Sequence, residues 1–470
     1  MKISRLTTIL TATVLLTAYP ARGQQPSATP ADPVEETEDG DSDDEEVDED
    51  DREVREAPEI DYDDDEIDIP VPSFINTSAN HITLNGADWS KVLSAVKSHK
   101  IAPLSIVHIG DSHLQADIGT GTVRELFQFD YGNAGRGIIS PLKMSGTNQP
   151  GDYTFSSTRP WNAVKLMKSP WRRIMGFTGT SITPGDLNTN ITVGTRSDDD
   201  YNPFSSITLF HNGKLNVESL KDASGNDINF IATPSRDFTY IKLDRPVTRV
   251  TANLSHIGDL TLYGANLSGD RPGMFYHVIG NNGATYNTYN RIGSVGEGIR
   301  PLSPDLVVIS LGTNEAFGRL DTAAFRDNID RLVKNIKASN PQAEILLVTP
   351  MECQKSVYTT VKKKVKTKAR KGRKGRKGRR GGTRTVTSKV RSYAVNRNIK
   401  PLRDVILKYG QDNGIAVYDW WSVASGDGAS TRWINGGLFS RDRVHHSAKG
   451  YHLQGRLLYE ALKDTFDNAK

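Results

Sequence analysis

The chain has 470 residues, 36% of them hydrophobic, a net charge of +3 and a single cysteine, Cys353. After the first stretch of about twenty positions, no apolar run approaches the ~20 residues a helix needs to span a bilayer. One thiol cannot form an internal disulfide, so a cysteine-stapled scaffold is excluded and stability has to come from a large core.

Lys2 and Arg5 precede the apolar residues 9–16, and Ala21-Arg22-Gly23 offers small residues for cleavage. Residues 1–23 therefore read as a secretory signal, with an apolar run too short to span a membrane. The chain is expected to be exported, to the periplasm or out of a bacterial cell, with no transmembrane segment once the signal is removed. No cysteine lies near the cleavage site, which argues against a lipid anchor. Residues 24–72 form a tether rich in Pro, Asp and Glu, with too little apolar content to pack.

The globular body starts near Ile82. Residues 87–100 place Trp89, Val92, Leu93 and Val96 on one helical face. Residues 104–109 are six mostly apolar and β-branched positions ending at Gly110, the pattern of a buried strand, and residues 122–129 have helical spacing. From about 143 to 266 the texture changes to short alternating runs. They are separated by the turn signals Asn212-Gly213, Ser224-Gly225-Asn226-Asp227 and Asp244-Arg245-Pro246. Such spacing predicts an all-β sandwich inserted at residues 148–269. Of its aromatics, Trp161, Trp171, Tyr201 and Phe204, most are expected to pack in a core, and any that do not are suited to stacking on sugars.

Helix and strand patterns then alternate: strands at 276–279, 306–311, 345–348 and 415–419, helices at 322–339, 399–409 and 450–466. The helix at 322–339 carries Phe325, Ile329, Leu332, Val333 and Ile336 on one face. Alternation of this kind predicts an α/β fold with a doubly wound parallel sheet, built from residues 80–147 and 270–470. Residues 355–400, dominated by Lys and Arg, interrupt it and are expected to be loop-like.

Three short motifs carry the chemistry. Gly110-Asp111-Ser112-His113 follows the first strand, so Ser112 lies at a strand-to-helix switch where free N–H groups favour a developing anion. Gly312-Thr313-Asn314-Glu315 follows a second buried strand. Asp442-Arg443-Val444-His445 lies near the end, with a carboxylate three residues before an imidazole. Together they supply a nucleophile, an amide donor, and a base with its orienting acid. His446 is the alternative base.

These motifs, in this order, resemble the blocks of the SGNH (GDSL-like) hydrolases. The resemblance implies a flavodoxin-like α/β/α fold, Ser112, Asp442 and His445 as the catalytic set, and an oxyanion hole from Ser112, Gly283 and Asn314. The second block is placed at Asn281-Asn282-Gly283-Ala284-Thr285, with Gly280 and then Gly137 as alternatives for its glycine. His113, Asp117 and Glu315 are candidate substrate contacts. No metal or other cofactor is implied. The run from Gly110 through Asp117, the run Tyr131 to Gly137, the β-rich insert and Gly-Thr-Asn-Glu-Ala look like the peptidoglycan O-acetylesterase branch. There the insert resembles a jelly-roll carbohydrate-binding module. The resemblance implies a serine esterase that removes acetyl from the C6 hydroxyl of N-acetylmuramic acid through an acyl-enzyme. An acetylesterase for xylan or pectin and a glycan O-acyltransferase use the same apparatus. A wall-binding protein is the non-enzyme alternative.

For the basic stretch, an anionic envelope polymer, lipid headgroups and the chain's own acidic tether are all candidate partners, as is solvent alone. Export disfavours nucleic acid.

Overall fold

The computed structural model describes residues 69–168, 170–171, 173–196, 202–366 and 383–468. The expected signal, most of the acidic tether, Tyr201 and the centre of the basic stretch lie outside the described residues.

The main sheet has five parallel strands: β1 (Leu104–Gly110), β2 (Met274–Gly280), β3 (Leu306–Ser310), β4 (Glu344–Val348) and β5 (Ala416–Tyr418). Their spatial order is β2-β1-β3-β4-β5, and a two-residue edge strand, Ile82–Thr83, pairs antiparallel with β5. All seven residues of β1 are buried, as a strand covered on both faces requires. This order reverses direction between β1 and β3, the switch point at which open α/β sheets bind their ligands.

Helices cover both faces. The Thr322–Ser339 helix is capped by Asp321, which accepts from Ala324 N at 2.9 Å, and it buries the five apolar residues expected of it. The Ile118–Tyr131 and Ala448–Asn468 helices cross at two glycines. A Cβ on Gly455 would sit 2.2 Å from the Gly119 carbonyl oxygen.

Between β1 and β2, after the Ile118–Tyr131 helix, residues 137–268 form a ten-stranded antiparallel sheet with a hydrophobic core of its own. It starts earlier than residue 148: Gly137–Ile139 pairs with residues 265–267. Two turn signals are not turns. Asn212-Gly213 lies inside the 19-residue strand Phe204–Asp222, at a register shift, where Gly213 has φ +89° and the Asn212 side chain accepts from Thr261 N at 2.9 Å. The bulge is in the partner strand, where residues 258–260 stand opposite Gly213 alone, and Gly213 makes room for it: a Cβ there would lie 2.1 Å from the Asp259 carbonyl oxygen. Likewise Asp244-Arg245-Pro246 lies within Phe238–Val247, at an irregularity in its pairing. Ser224–Asp227 does turn the chain.

The basic stretch is a further correction. Its described parts, Gln354–Lys366 and Thr383–Val395, pair as an antiparallel two-stranded ribbon in continuous register. Alternating Val, Thr and Tyr among the lysines supply the β-propensity that net charge concealed.

The glycine crossing makes a test of packing. Gly455→Ala should destabilise the fold by about 1–3 kcal/mol through overpacking, lowering the melting temperature. Gly151→Ala, where nothing lies within 4 Å of the added carbon, should leave it unchanged. Thermal unfolding of the two variants checks this.

Candidate active site

The first strand delivers its serine by a close approach that only glycine permits. A Cβ on Gly110 would lie 2.8 Å from the Ser310 carbonyl oxygen on β3. Asp111 then caps the short helix Ser112–Gln115, its Oδ1 accepting from His113 N at 3.0 Å. Ser112 is buried at 4% exposure, and its Oγ lies 2.7 Å from His445 Nε2. The two residues are 333 positions apart in sequence.

His445 is held from the other side. Its Nδ1 lies 2.5 Å from Asp442 Oδ2, while Asp442 Oδ1 accepts from Val444 N at 2.9 Å and His445 N at 3.0 Å. Burial opposes ionisation of Asp442, but hydrogen bonds and charge from His445, with the two backbone donors, outweigh it and hold the carboxyl below its usual range. An ionised Asp442 can only accept, so Nδ1 carries hydrogen and Nε2 is left as the acceptor for the serine hydroxyl. The tight Asp442–His445 turn needs Arg443 in a left-handed conformation, φ +62°. That strain is held by the base of the ribbon. Arg443 Nη1 donates to Gln354 Oε1 at 2.9 Å, and its guanidinium lies 4.1 Å from the centre of the Tyr393 ring.

The third wall is the loop after β2. Gly283 has φ +76°, a conformation other residues adopt only with strain. The loop is pinned from below and from the insert. Asn282 N donates to Gln115 Oε1 at 2.7 Å, and Asn281 Nδ2 donates to Thr178 O and to Tyr289 Oη, both at 2.9 Å. Gln115 Nε2 in turn donates to Asn148 Oδ1 at 2.6 Å. Asn314 stands opposite, its Nδ2 donating to Asp111 Oδ2 and to Ala284 O, both at 3.1 Å. Both amide hydrogens are thus engaged without substrate, and one of these bonds has to be exchanged before Asn314 can donate to an oxyanion. Burial pushes the Asp111 carboxyl up to about 6, against the His113 N–H, which favours its anion.

The other expected residues are placed as follows. His113 flanks the centre, its ring centroid 5.2 Å from that of His445 and its Nδ1 3.2 Å from Tyr451 Oη. Burial, aided by the His445 charge, depresses it to about 3, so it is neutral. His446 is not an alternative base. It is buried, faces Met351 Sδ at 3.1 Å and packs on Trp433, with burial holding it well below its usual range. Gly280 packs beneath the Ser112 helix, where a Cβ would lie 2.4 Å from Gln115 N, and Gly137 packs against His277.

Asp117 is not a substrate contact. Its side chain is 3% exposed and bonds Arg124 Nη2 at 2.8 Å and Arg136 Nη2 at 2.5 Å, and both arginines also reach Asp152. A buried carboxylate is retained only when paired, and these partners come from the following helix and the start of the antiparallel sheet. Glu315 also faces inward: Oε1 accepts from Tyr286 N at 2.8 Å, and Oε2 is buried without a hydrogen-bond partner. Sequence reading missed Gln115, Asn148, Thr178 and Arg443, which position the loops. Gln115, three residues after Ser112, and Arg443, inside the last motif, lay close enough to be suspected; Asn148 and Thr178 did not.

A cavity of about 60 Å³ lies behind this centre, lined by residues including His108, His113, Met351, Cys353 and His446. Neither Ser112 nor His445 is among the residues that line it.

Residues 251–453 match the model of the GDSL-like Lipase/Acylhydrolase family. The match begins within the last long strand of the antiparallel sheet and so leaves out Ser112, which the insert separates from the other motifs. No curated protein matches the chain in sequence. A solved structure described as "Peptidoglycan O-acetylesterase in action, 5 min" has the same fold, with a TM-score of 0.62 and 20% identity over 83% of this chain and 99% of that one. A lipase/acylhydrolase from Enterococcus faecalis overlaps 41% of this chain and 76% of its own, at 21% identity and a TM-score of 0.26. A family two carbohydrate esterase from Cellvibrio japonicus overlaps 67% and 98%, at 13% identity and 0.27.

Glu315 provides a test by pH. Burial, then the charge of Asp111, raises it to about 7 from an ordinary 4.5. Because the folded state holds this proton more tightly, its contribution to stability is complete below the unfolded value and lost as pH rises through about 7. Glu315→Gln keeps the acceptor for Tyr286 N and removes the titration. The melting temperature of the variant relative to the unaltered chain should therefore rise between pH 5 and pH 8. A constant difference across that range would place the titration elsewhere.

Proposed function

We propose that this chain is an SGNH (GDSL-like) ester hydrolase, an exported enzyme that removes O-acetyl groups from cell-wall glycan, at the C6 hydroxyl of N-acetylmuramic acid in peptidoglycan. The observation that carries the reading is the unbroken series from Ser112 Oγ to His445 Nε2, at 2.7 Å, and from His445 Nδ1 to Asp442 Oδ2, at 2.5 Å. The fold likeness to a peptidoglycan O-acetylesterase, over 83% of this chain and 99% of that one, supports the substrate class.

In this mechanism Ser112 attacks the acetyl carbonyl while His445 takes its proton, and Asp442 stabilises the resulting imidazolium. The oxyanion is met by the Ser112 and Gly283 N–H groups and by the Asn314 amide, freed from Ala284 O or Asp111. Loss of one such donor typically costs ~3 kcal/mol in the transition state. His445 returns its proton to the departing sugar oxygen, which leaves as the free hydroxyl. Water, activated by the same imidazole, then releases acetate from the acyl-serine.

The insert supplies a wall on the sugar side. Met167 is 40% exposed and lies within contact distance of a Cβ built on Gly283, and Trp171 stacks beneath the Arg291 guanidinium. Met167→Ala should raise KM for acetylated glycan while leaving turnover of a small chromogenic acetate within about twofold, because a remote wall contributes binding more than chemistry. Equal losses on both substrates would remove Met167 from glycan binding.

A substrate panel read by acetate release tests the function. The chain should release acetate from O-acetylated peptidoglycan faster than from acetylated xylan, and Ser112→Ala should fall by at least about 10³-fold while remaining folded. A preference for xylan would move the assignment to another polysaccharide, and activity retained in Ser112→Ala would remove this serine from the reaction.

A further inference from the structure

The basic ribbon is unexplained by the esterase reading. Between residues 354 and 395 the sequence holds 17 Lys and Arg and no Asp or Glu. Its two strands pair only with each other among the described residues, so both outer edges present unpaired backbone groups. At ~3.3 Å per residue the 13-residue strands are about 40 Å long. A two-stranded ribbon is marginal in water unless something covers it.

The register divides the ribbon into two faces. On one, Val357, Val361 and Val365 of the first strand are joined by Val390 of the second, each 39–49% exposed, with Lys355 and Lys363 spaced among them. On the other lie Tyr358 opposite Arg391, Lys362 opposite Thr387 and Lys364 opposite Thr385. A partner has to satisfy cations and valines together. A polyanion with no apolar groups leaves the valines exposed. An acyl layer meets Lys355 and Lys363 on the valine face. A second copy brings seventeen like charges.

One segment of this chain matches both demands. Residues 48–68 contain thirteen Asp and Glu against Arg52 and Arg55. Within them Ile60-Asp61-Tyr62-Asp63 and Glu66-Ile67-Asp68 alternate apolar and acidic residues, the period of an extended strand. The described chain also begins close to the ribbon. Phe74 packs against Gly436, at the end of the seven-residue Ala429–Asn435 helix, a span of about 10 Å. The first turn of that helix bonds the ribbon's root: Ser430 N and Oγ donate to Glu352, and Gln354 Nε2 donates to Ser430 Oγ at 3.4 Å.

We propose that residues 48–68 dock on the ribbon of the same molecule as an added strand, with their acidic side chains on its lysines and Ile60 and Tyr62, which share one face of an extended strand, extending its valine face. Twenty-one extended residues reach about 70 Å, more than the ribbon's length, and the tether holds them at millimolar effective concentration. The ribbon root also braces Arg443 beside Asp442 and His445, so the docked strand lies along an arm rooted at the active-site rim.

Hydrogen exchange on the chain lacking its first 23 residues tests this. Ribbon amides at residues 357–365 and 385–393 should be protected at low salt. They should exchange at least about tenfold faster when the thirteen acids of 48–68 become Asn or Gln, or when the segment is deleted. The contrast should vanish in about 0.5 M NaCl, where charges are screened within a few ångström. A synthetic 48–68 peptide should restore protection to the deletion variant. Unchanged exchange in both variants overturns the proposal. So does protection that grows with protein concentration, which assigns the ribbon to a second copy, or protection that appears only with heparin or phosphatidylglycerol vesicles, which assigns it to an external polyanion or a membrane.

Discussion

Strand register is the constraint from which the site follows. Gly110 on β1 lies directly beside Gly280 on β2 and Ser310 on β3, and Ser310 in turn beside Val348 on β4. In a parallel sheet that row brings three loops off the strands at one level. The loops carry Ser112, Gly283 and Asn314 within two to four residues of their strand ends, too few to stray far. A slip of one residue in β1 would turn every buried side chain of that strand to the opposite face. The glycines at 110 and 280 keep the row tight, one against the β3 backbone and the other under the Ser112 helix.

The acid and base arrive differently. Asp442 and His445 come on a loop after the last strand, and three hydrogen bonds to the Asp442 carboxylate, one from Val444 and two from His445, make it a nearly self-sufficient turn. What it lacks is an anchor for the left-handed Arg443, and the ribbon root provides one. The antiparallel insert has a comparable role for the loop of Gly283, through Thr178 and Asn148. It is tied to the helix after Ser112 by the buried Asp117, Arg124, Arg136 and Asp152 cluster, in which loss of one partner costs about 3–5 kcal/mol. Insert and α/β body therefore act on the site as one framework.

Much of this was legible in the sequence because it is local. Residues 104–109 declared a buried strand by six consecutive positions, and Asp442 declared its partner by a spacing of three. Helix 322–339 declared its face by period. The parts that were not legible depend on residues distant in sequence. Asp117 looked like a polar neighbour of the nucleophile, and only the fold brings Arg136 and Asp152 onto it. Asn212-Gly213 carries the same backbone preference opposite a partner's bulge as in a hairpin, so the pairing partner decides which forms. In the basic stretch, charge masked an alternation of Val and Thr that was present all along. Glu315 follows the amide donor directly, yet its inward direction is set by Tyr286 N at the start of a different helix.

The most direct measurement of the central claim is covalent trapping with a serine-reactive phosphonate, followed by peptide mass spectrometry. The reagent should label Ser112 alone. His445→Ala should nearly abolish labelling, and Asp442→Asn should slow it by orders of magnitude because the imidazole loses its working tautomer. Labelling at another serine, or an undiminished rate in His445→Ala, would contradict the assignment of these side chains to one reacting centre.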